Sequence, residues 1–422
     1  MRALWFANCP LPRQGETANG HWMSTLALAL KETGDVELGF VCYGTASQLC
    51  YKVDGPLGPE WTIPIGRIEQ RHEPPTDRAC SELLRILEEF QPDLVHVHGT
   101  EQNWGLFSTG GVYDLPTVIS IQGLLHVYYR HDLGGLSDME ALKLYSIRDW
   151  VRNDGMIKRQ RKRHRASLTE MGIIQDAKFF IGRTKWDRAH VYALNANAVY
   201  FHCDEIMRPE FFSIQRDVIT VRPFSIFSSA QPEPLKGLHV LLKAAGILCR
   251  DFPELRLYLA GRPFRRGFWI TGFERHLCKI IEDHNLDSRL CHLGPLNAHT
   301  LSEELGRAAV FVLPSFIENS SNALAEAMLA GVPIAASFVG GNPSMVQDGD
   351  SALCFPQGDE AVLAECIREL FLNEKLALRI AQRAREVAFI RHNPTTIAMQ
   401  TIDIYTAVCK QWSAMRETNS QE

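Results

Sequence analysis

Two acidic side chains flank the start of one short helical segment in the second half of the chain. Glu318 lies in the polar loop SFIENSS (315–321), and Glu326 follows it with seven residues between the two. The loop leaves the apolar run AVFVLP and enters the Ala-rich run NALAEAMLAG, in which Gly331 predicts the end of a helix. A helix start offers free backbone N–H groups and a partial positive charge, which suit a phosphate or diphosphate.

The two carboxylates would repel a phosphate, but they can accept paired hydrogen bonds from the vicinal hydroxyls of a sugar or ribose. A diphosphate at the helix start, with a hydroxyl-rich ring on each side, would explain both Glu318 and Glu326. Such a ligand is a nucleotide-diphosphate sugar. The alternative is that neither acid binds a ligand. Glu318 would then be a loop acid that interacts favourably with the helix dipole, and Glu326 would be a solvated helix residue, because it falls off the predicted core stripe of the helix.

Three further stretches with polar or glycine residues lie in the same half, one before a predicted helix and two after predicted strands. PLKG (234–237) offers Lys236 as a point charge, LYLAGRPFRRG (257–267) offers Arg262, and VGGNP (339–343) is a glycine-rich loop. Each alone is typical of a surface loop. Ligands of open α/β sheets bind at the carboxyl ends of strands, so the shared placement of these stretches favours a ligand site.

The elements that would position these residues alternate between β-type and helical runs, which predicts parallel α/β sheets. Predicted strands are 1–7, 36–43, 94–98 and 117–121 in the first half, and 255–260, 290–293, 310–313 and 334–337 in the second. An irregular zone around 208–217 separates the two series. The predicted organisation is a domain at 1–212 with a charged helical insertion at about 133–176, a domain at 213–390, and a helix in 391–422.

Composition narrows the function classes. The chain has 422 residues, 45% of them hydrophobic and 22% charged, and its formal net charge of −5 gives no reason to expect nucleic-acid binding. Its eleven cysteines form no CxxC pair or zinc-type cluster, which favours reduced thiols in a cytosolic protein. The apolar part of the N-terminus is too short for a signal peptide, and no apolar run is long enough for a membrane span.

One basic run, IKRQRKRHR at 157–165, stands out from this average composition. Such a run can attract anionic lipid head groups, and it can equally be the solvated face of a helix. The sequence leaves both interpretations open.

The run from Lys236 and Gly237, through AGRP (260–263), to 316–355 resembles the donor domain of retaining glycosyltransferases of family 4. PDLVHVHGTE (92–101) resembles the first domain of the same family. The resemblance implies an α/β fold with GT-B architecture, in which two Rossmann-like, doubly wound domains face a central cleft. The C-terminal helix would cross back to the first domain.

The resemblance also implies roles for individual residues. Glu318 would contact hydroxyls of the transferred sugar and Glu326 the ribose of the nucleotide. Asn322 and Ala323 would offer amides to the diphosphate, which Lys236 would neutralise. Gly20, in the loop GETANGHW (15–22), would approach the phosphates from the first domain. Enzymes of this kind need no metal, and no other cofactor is expected.

Two positions depart from the family pattern. No arginine occurs between Arg222 and Lys236, where the family usually carries one. Either Arg262 or a neighbour would substitute for it, or the diphosphate would be held more weakly. Gln122 stands where a histidine is frequent. In the front-face mechanism proposed for this family, the leaving phosphate itself takes the proton of the acceptor. Gln122 then needs only to orient the reacting groups. The predicted catalytic residues are therefore Gln122, Glu318 and Lys236. The acceptor-side candidates are three residues near the same strand ends: His98, Glu101 and His126.

The sequence therefore predicts a cytosolic retaining glycosyltransferase of hexosyltransferase type, and a peripheral position on the inner face of a membrane is one of the two open interpretations of its basic run. It would move a sugar from a nucleotide-diphosphate sugar to a hydroxyl of a glycan, glycolipid or small acceptor. Two alternatives remain open: a degenerate nucleotide-sugar-binding protein, favoured by the missing arginine and Gln122, and a sugar-nucleotide epimerase with GT-B architecture.

Overall fold

A computed structural model describes residues 1–11, 21–44, 50–214, 216, 218–263 and 267–419. They form two compact units, each built on a parallel or mostly parallel β-sheet, so the predicted α/β class with two parallel-sheet domains is confirmed. The first unit comprises Met1–His126, His164–Ile206 and His392–Glu422, and the second comprises Val127–Arg163 and Met207–Arg391. That the two domains face a central cleft stays a prediction.

The first unit contains an eight-stranded sheet in the order β3-β4-β2-β1-β5-β6-β7-β8. Its strands are β1 Arg2–Ala7, β2 Glu37–Gly44, β3 Tyr51–Gly55, β4 Gly58–Pro64, β5 Leu94–His98, β6 Thr117–Ser120, β7 Phe179–Gly182 and β8 Val199–His202. All neighbours run parallel except β3 and β4, which form an antiparallel hairpin. His98 lies opposite Ser120, so β5 and β6 end at the same edge of the sheet.

The second unit contains a six-stranded, wholly parallel sheet in the order β11-β10-β9-β12-β13-β14. Its strands are β9 Ser225–Ser228, β10 Arg256–Ala260, β11 Leu290–Gly294, β12 Val310–Leu313, β13 Ile334–Ser337 and β14 Leu353–Phe355. Strands β12 and β13 have the predicted bounds. Buried aliphatic and aromatic side chains of these strands and their helices form the core of the unit.

The helices connect these strands in chain order. They are α1 His21–Thr33, α2 Asp77–Phe90, α3 Trp104–Thr109, α4 Leu125–Tyr128, α5 Asp138–Lys143, α6 Ile147–Arg152, α7 Met156–Asp176, α8 Lys185–Leu194, α9 Leu238–Leu248, α10 Gly272–Asp283, α11 Ala298–Arg307, α12 Asn322–Ala330, α13 Glu360–Leu372, α14 Glu374–Arg391 and α15 Pro394–Asn419. Helix α12 has the predicted bounds. In the described part of the chain no helix is long and apolar enough to cross a membrane.

The helical insertion expected at 133–176 in the first domain is divided between the two units: residues up to 163 belong to the second unit, and those from 164 belong to the first. Residues 127–163 belong to the second unit, where several polar contacts hold them. The Asp149 carboxylate accepts a hydrogen bond from the Gly272 backbone N–H at 2.7 Å. One nitrogen of Arg275 donates to the carbonyls of Leu144 and Tyr145, each at 2.8 Å. Helices α5 and α6 are therefore fixed onto the start of α10.

Helix α15 packs in the first unit, where its buried Tyr405 meets polar side chains of β1 and β5. The Trp5 indole N–H donates to the Tyr405 hydroxyl at 3.0 Å, and the hydroxyl lies 2.6 Å from His96 Nδ1. Burial lowers the pKa of His96 to about 3, so its ring is neutral at physiological pH. Its Nε2 lies 2.6 Å from the Ser120 hydroxyl. One phenol hydroxyl thus joins the C-terminal helix to the centre of the sheet.

Replacing Tyr405 with phenylalanine removes partners of two buried groups and should lower the free energy of unfolding by about 1–3 kcal/mol. The matched control is Tyr192→Phe, at a tyrosine with an exposed side chain, which should change it by less than about 0.5 kcal/mol. Urea unfolding of both variants gives the comparison. Equal effects of the two substitutions would contradict a structural role for the Tyr405 hydroxyl.

Candidate functional site

The loop between β12 and α12 is buried almost throughout, although it is rich in polar residues. Ser321 caps the helix by accepting a hydrogen bond from the Leu324 N–H at 3.4 Å, and Gly331 ends it with a φ of 66°. Within the first turn, Asn322 is exposed and Ala323 is half-buried. The helix therefore buries its body and leaves its positive end accessible, as an anion site requires.

Glu318 and Lys236 lie together beside this helix start. Glu318 is 8% exposed, and its Oε1 accepts hydrogen bonds from Lys236 Nζ at 2.7 Å and from the Ser315 hydroxyl at 2.8 Å. Burial alone would lower the pKa of Lys236, but the charges of Glu318 and Glu233 raise it above its ordinary value. Lys236 therefore stays positively charged. Lys236 and Glu318, which were both predicted to contact the nucleotide sugar, form an ion pair with each other.

Two glycines permit the close packing that holds this pair. Gly237 has a φ of 69°, and a Cβ there would lie 1.8 Å from the Pro314 carbonyl oxygen. Gly340 has a φ of 50°, and a Cβ there would lie 2.0 Å from the Glu318 carbonyl oxygen, to which the Gly341 N–H donates at 2.9 Å. The stretches PLKG and VGGNP therefore position Lys236 and Glu318.

Glu326 is also buried, which differs from the expectation of an acid off the core stripe. All residues from 324 to 330 are buried, so α12 has no solvated face after its first turn. Arg208 donates to Glu326 Oε1 from Nη2 at 2.5 Å and from Nε at 3.1 Å. Burial raises the pKa of Glu326, and Arg208 opposes that rise. Arg208 is a partner that the motif did not reveal, since it lies 118 residues away in sequence.

Two arginines are candidates to replace the one that is missing before Lys236. Arg262, the predicted substitute, is about half exposed and forms an ion pair with Glu274 at 3.4 Å. Arg163 instead lies in the first half of α7 and forms an ion pair with Asp132, and its positive charge acts to lower the pKa of Lys236. Arg163 therefore acts electrostatically on Lys236, although the sequence marks it only as part of the basic run at 157–165.

The segment that carries Asp132 packs directly on the two loops of the site. A Cβ at Gly134 would lie 2.3 Å from the Pro234 carbonyl oxygen, and His239 Nε2 hydrogen-bonds the Gly134 carbonyl at 2.9 Å. Gln357 Nε2 donates to the Phe316 carbonyl at 2.8 Å and to His131 Nδ1 at 2.9 Å. These contacts fix Asp132, and with it Arg163, beside the loop of Lys236.

In the first unit, polar residues gather at the carboxyl ends of β1, β5 and β6. Glu101 accepts a hydrogen bond from Asn8 Nδ2 at 3.2 Å and another from the Gly123 N–H at 2.9 Å. Gln122 is half-buried next to Gly123. Burial raises the pKa of Glu101 to about 7, with a smaller contribution from the charge of Glu170. Glu101 can therefore change protonation near neutral pH.

The two acceptor-side histidines are more enclosed than Glu101. His98 is buried between Trp5 and Trp22, with ring centroids at 4.3 and 5.3 Å, and burial lowers its pKa well below its ordinary value. His126 Nδ1 lies 2.8 Å from a carboxylate oxygen of Glu170, which also accepts the His126 backbone N–H at 2.9 Å. His98 thus resembles a core residue, and His126 supports the start of α4.

Gly20 lies outside the described residues. Among those described, no group of three His, Cys, Asp or Glu side chains is placed to hold a metal ion. That the reaction needs no metal or cofactor stays a prediction.

Comparison with known proteins places residues 212–387 in one family. They match the family described as "Glycosyl transferases group 1". This match lies within the second unit and does not include residues 127–163. The predicted family resemblance is confirmed, because the matched range holds all of the predicted donor-side residues except Gly20. The retaining outcome stays a prediction.

Relatives and solved structures agree with this family. The chain is 30% identical over 179 residues to a D-inositol 3-phosphate glycosyltransferase of Streptomyces avermitilis, a stretch that covers 42% of this chain and 38% of the relative. Sucrose-phosphate synthase of Thermosynechococcus elongatus has a TM-score of 0.72 at 16% identity, over 96% of this chain and 98% of that one. Anabaena HepE in complex with UDP-glucose has a TM-score of 0.65 at 15% identity, over 96% and 100%. The solved structures confirm the GT-B fold.

The raised pKa of Glu101 predicts a pH-dependent stability. The folded state keeps the proton to about pH 7 while the unfolded chain releases it near its ordinary value of 4.5, so the free energy of unfolding falls as pH rises between these values. Glu101→Gln removes this titration. Relative to wild type, the variant should gain roughly 2–3 kcal/mol between pH 4.5 and pH 8.

Chemical denaturation at several pH values measures this difference. Glu88→Gln, at an exposed acid of α2, is the matched control and should show no comparable gain. A difference between Glu101→Gln and wild type that does not change with pH would contradict the raised pKa.

Proposed function

We propose that the chain is a retaining, metal-independent glycosyltransferase. It moves a sugar from a nucleotide-diphosphate sugar to a hydroxyl of a glycan, glycolipid or small acceptor. The observation that supports this most strongly is the buried Lys236–Glu318 pair beside the accessible start of α12, within the glycosyltransferase family match. The matched stretch spans about two fifths of the D-inositol 3-phosphate glycosyltransferase, so the activity of the whole chain is part of the proposal.

The donor would lie along the start of α12. Its diphosphate would accept hydrogen bonds from the Asn322 and Ala323 amides and would be neutralised by Lys236. Glu318 would accept hydrogen bonds from hydroxyls of the transferred sugar, and Glu326, oriented by Arg208, would accept them from the ribose. The UDP-glucose in the HepE complex supports a nucleoside diphosphate hexose as the donor class.

The reaction exchanges one bond at the anomeric carbon for another. The bond from this carbon to the diphosphate oxygen breaks, the bond to the acceptor oxygen forms on the same face, and the acceptor proton passes to the departing phosphate oxygen. Lys236 and the helix start stabilise the negative charge that develops on the diphosphate. Gln122 would orient the reacting groups by hydrogen bonds, since an amide cannot take the proton.

On the acceptor side, Glu101 has more support than His98 or His126. Its carboxylate lies at the strand ends with a pKa of about 7, whereas the two histidines are buried or engaged by Glu170. The proposed location is the cytosol, with residues 157–165 at the anionic inner face of a membrane.

The central test is an assay of the purified chain against a panel of nucleotide sugars, with and without acceptors. Wild type should bind one donor class and hydrolyse it slowly, and Glu318→Ala should lower kcat/KM at least ~100-fold without unfolding the protein. Glu360→Ala is the matched control, because Glu360 pairs with Lys243 at 3.7 Å in the same unit. It should retain activity.

Each other outcome has a defined meaning. If no nucleotide sugar is bound or hydrolysed, the enzyme proposal is wrong. Wild-type activity in Glu318→Ala would remove the assigned role of Glu318. Binding without any turnover would favour the degenerate binding protein, which the missing arginine and Gln122 support. An altered sugar nucleotide formed without acceptor would favour the epimerase.

Arg163 should act as the second cation for the diphosphate, in place of the missing arginine. Arg163→Met should weaken binding of a nucleoside diphosphate about 10-fold, while binding of the nucleoside without phosphates stays unchanged. Arg161→Met, an exposed arginine two residues earlier in α7, is the matched control. Isothermal titration calorimetry gives both affinities. Equal losses in the two variants, or a loss for the nucleoside as well, would contradict this role.

A further inference from the structure

Helices α5 and α6 present an exposed apolar surface that the donor site does not use. Five large side chains within thirteen residues are each more than half exposed, and Trp150 is the most exposed at 80%. We call these residues the apolar face: Met139, Leu142, Ile147, Trp150 and Val151. Their spacing is helical, with Met139 and Leu142 three residues apart on α5, and Ile147, Trp150 and Val151 at i, i+3 and i+4 on α6.

The apolar face is held rigidly. Ser137 and Ser146 cap their helices with reciprocal side-chain and backbone hydrogen bonds. On the opposite side of α6, the buried Asp149 binds the Gly272 N–H, and a Cβ at Gly272 would lie only 1.9 Å from the Leu144 carbonyl oxygen. Trp150 therefore points outward because its neighbour in sequence is anchored.

Basic side chains follow the apolar face along the chain. Residues 143–162 contain seven basic and two acidic side chains, and both acids are engaged within the second unit. Asp149 is buried, and Asp154 accepts two hydrogen bonds from Arg148 at 3.1 and 3.2 Å. Lys158 and Arg161 are exposed, and no acid of the described residues forms an ion pair with either. The region therefore keeps a positive surface charge.

We propose that the apolar face and the cations of residues 152–162 form one docking surface for an anionic membrane. Apolar and tryptophan side chains at helical spacing enter the boundary between head groups and acyl chains, and nearby lysine and arginine side chains attract anionic lipid. The charge favours a lipid surface over a second copy of this chain, which would bring the same positive residues together.

This inference rests on the proposed membrane-peripheral function but extends it from the basic run to helices α5 and α6. Because the segment 127–163 also carries Arg163, docking would place the donor site near the lipid surface. The acceptor class that such a location favours is a lipid-linked hydroxyl.

Vesicle co-sedimentation of the full chain tests the surface, with phosphatidylcholine vesicles alone and with about 30% phosphatidylglycerol added. Wild type should bind the anionic vesicles and release as salt increases. Trp150→Ser and the double variant Ile147→Ser/Val151→Ser should lower the partition coefficient at least ~10-fold. The fluorescence blue shift that vesicles induce in wild type should be lost in Trp150→Ser.

Matched controls separate this surface from general stickiness. Leu372→Ser and Ile390→Ser change side chains that are 69% and 79% exposed elsewhere in the second unit, and they should bind vesicles as wild type does. Lys158→Gln/Arg161→Gln should weaken binding, and the exposed pair Lys375→Gln/Arg379→Gln should not. Nucleotide-sugar binding in solution should be unchanged in all of these variants, so a failed docking surface and a failed glycosyltransferase proposal give different results.

Two results would overturn the proposal. The first is that wild type does not bind anionic vesicles, or that Trp150→Ser binds them as strongly as Leu372→Ser does. The second is a concentration-dependent dimer in light scattering that Trp150→Ser dissolves, which would assign the apolar face to a second copy of the chain.

Discussion

The second unit buries carboxylates beside apolar strands, and a buried carboxylate destabilises the fold unless a cation and hydrogen bonds accompany it. Glu318 meets this requirement through Lys236 and Ser315, all within the loops at the strand ends. The glycines at 237 and 340 are the consequence, because any side chain there would displace the backbone that holds the pair. A sequence that buries such an acid must therefore also specify the loops around it.

The same constraint operates a second time at Glu326, where Arg208 supplies the charge. Two buried acids, each held by one cation, flank the accessible start of an otherwise buried helix. This arrangement keeps hydrogen-bond acceptors and a positive helix end fixed before any ligand arrives, so little reorganisation is needed on binding. It also explains why the acids need not act as an acid/base pair: neither is directed to proton transfer by its contacts.

Much of the second unit could be predicted from sequence. Strands β12 and β13 and helix α12 have clear apolar runs, and a capping serine and Gly331 mark the helix ends, so their bounds match. The hairpin β3–β4 was not predicted, because β3 exposes almost every side chain and shows no apolar alternation. The burial of Glu326 and its contact with Arg208 depend on tertiary packing between distant segments, which helical periodicity cannot reveal. The grouping of residues 127–163 with the second unit depends similarly on single contacts such as Asp149 with Gly272.

In the proposed donor complex, the start of α12, with Lys236 and Glu318, holds the diphosphate and the sugar. The most direct measurement is a crystal structure of the chain with the nucleotide sugar that a binding screen identifies. We expect the diphosphate within hydrogen-bond distance of the Asn322 and Ala323 amides and of Lys236 Nζ, with sugar hydroxyls hydrogen-bonded to Glu318. A diphosphate bound away from this helix start, with the Lys236–Glu318 pair untouched, would contradict it.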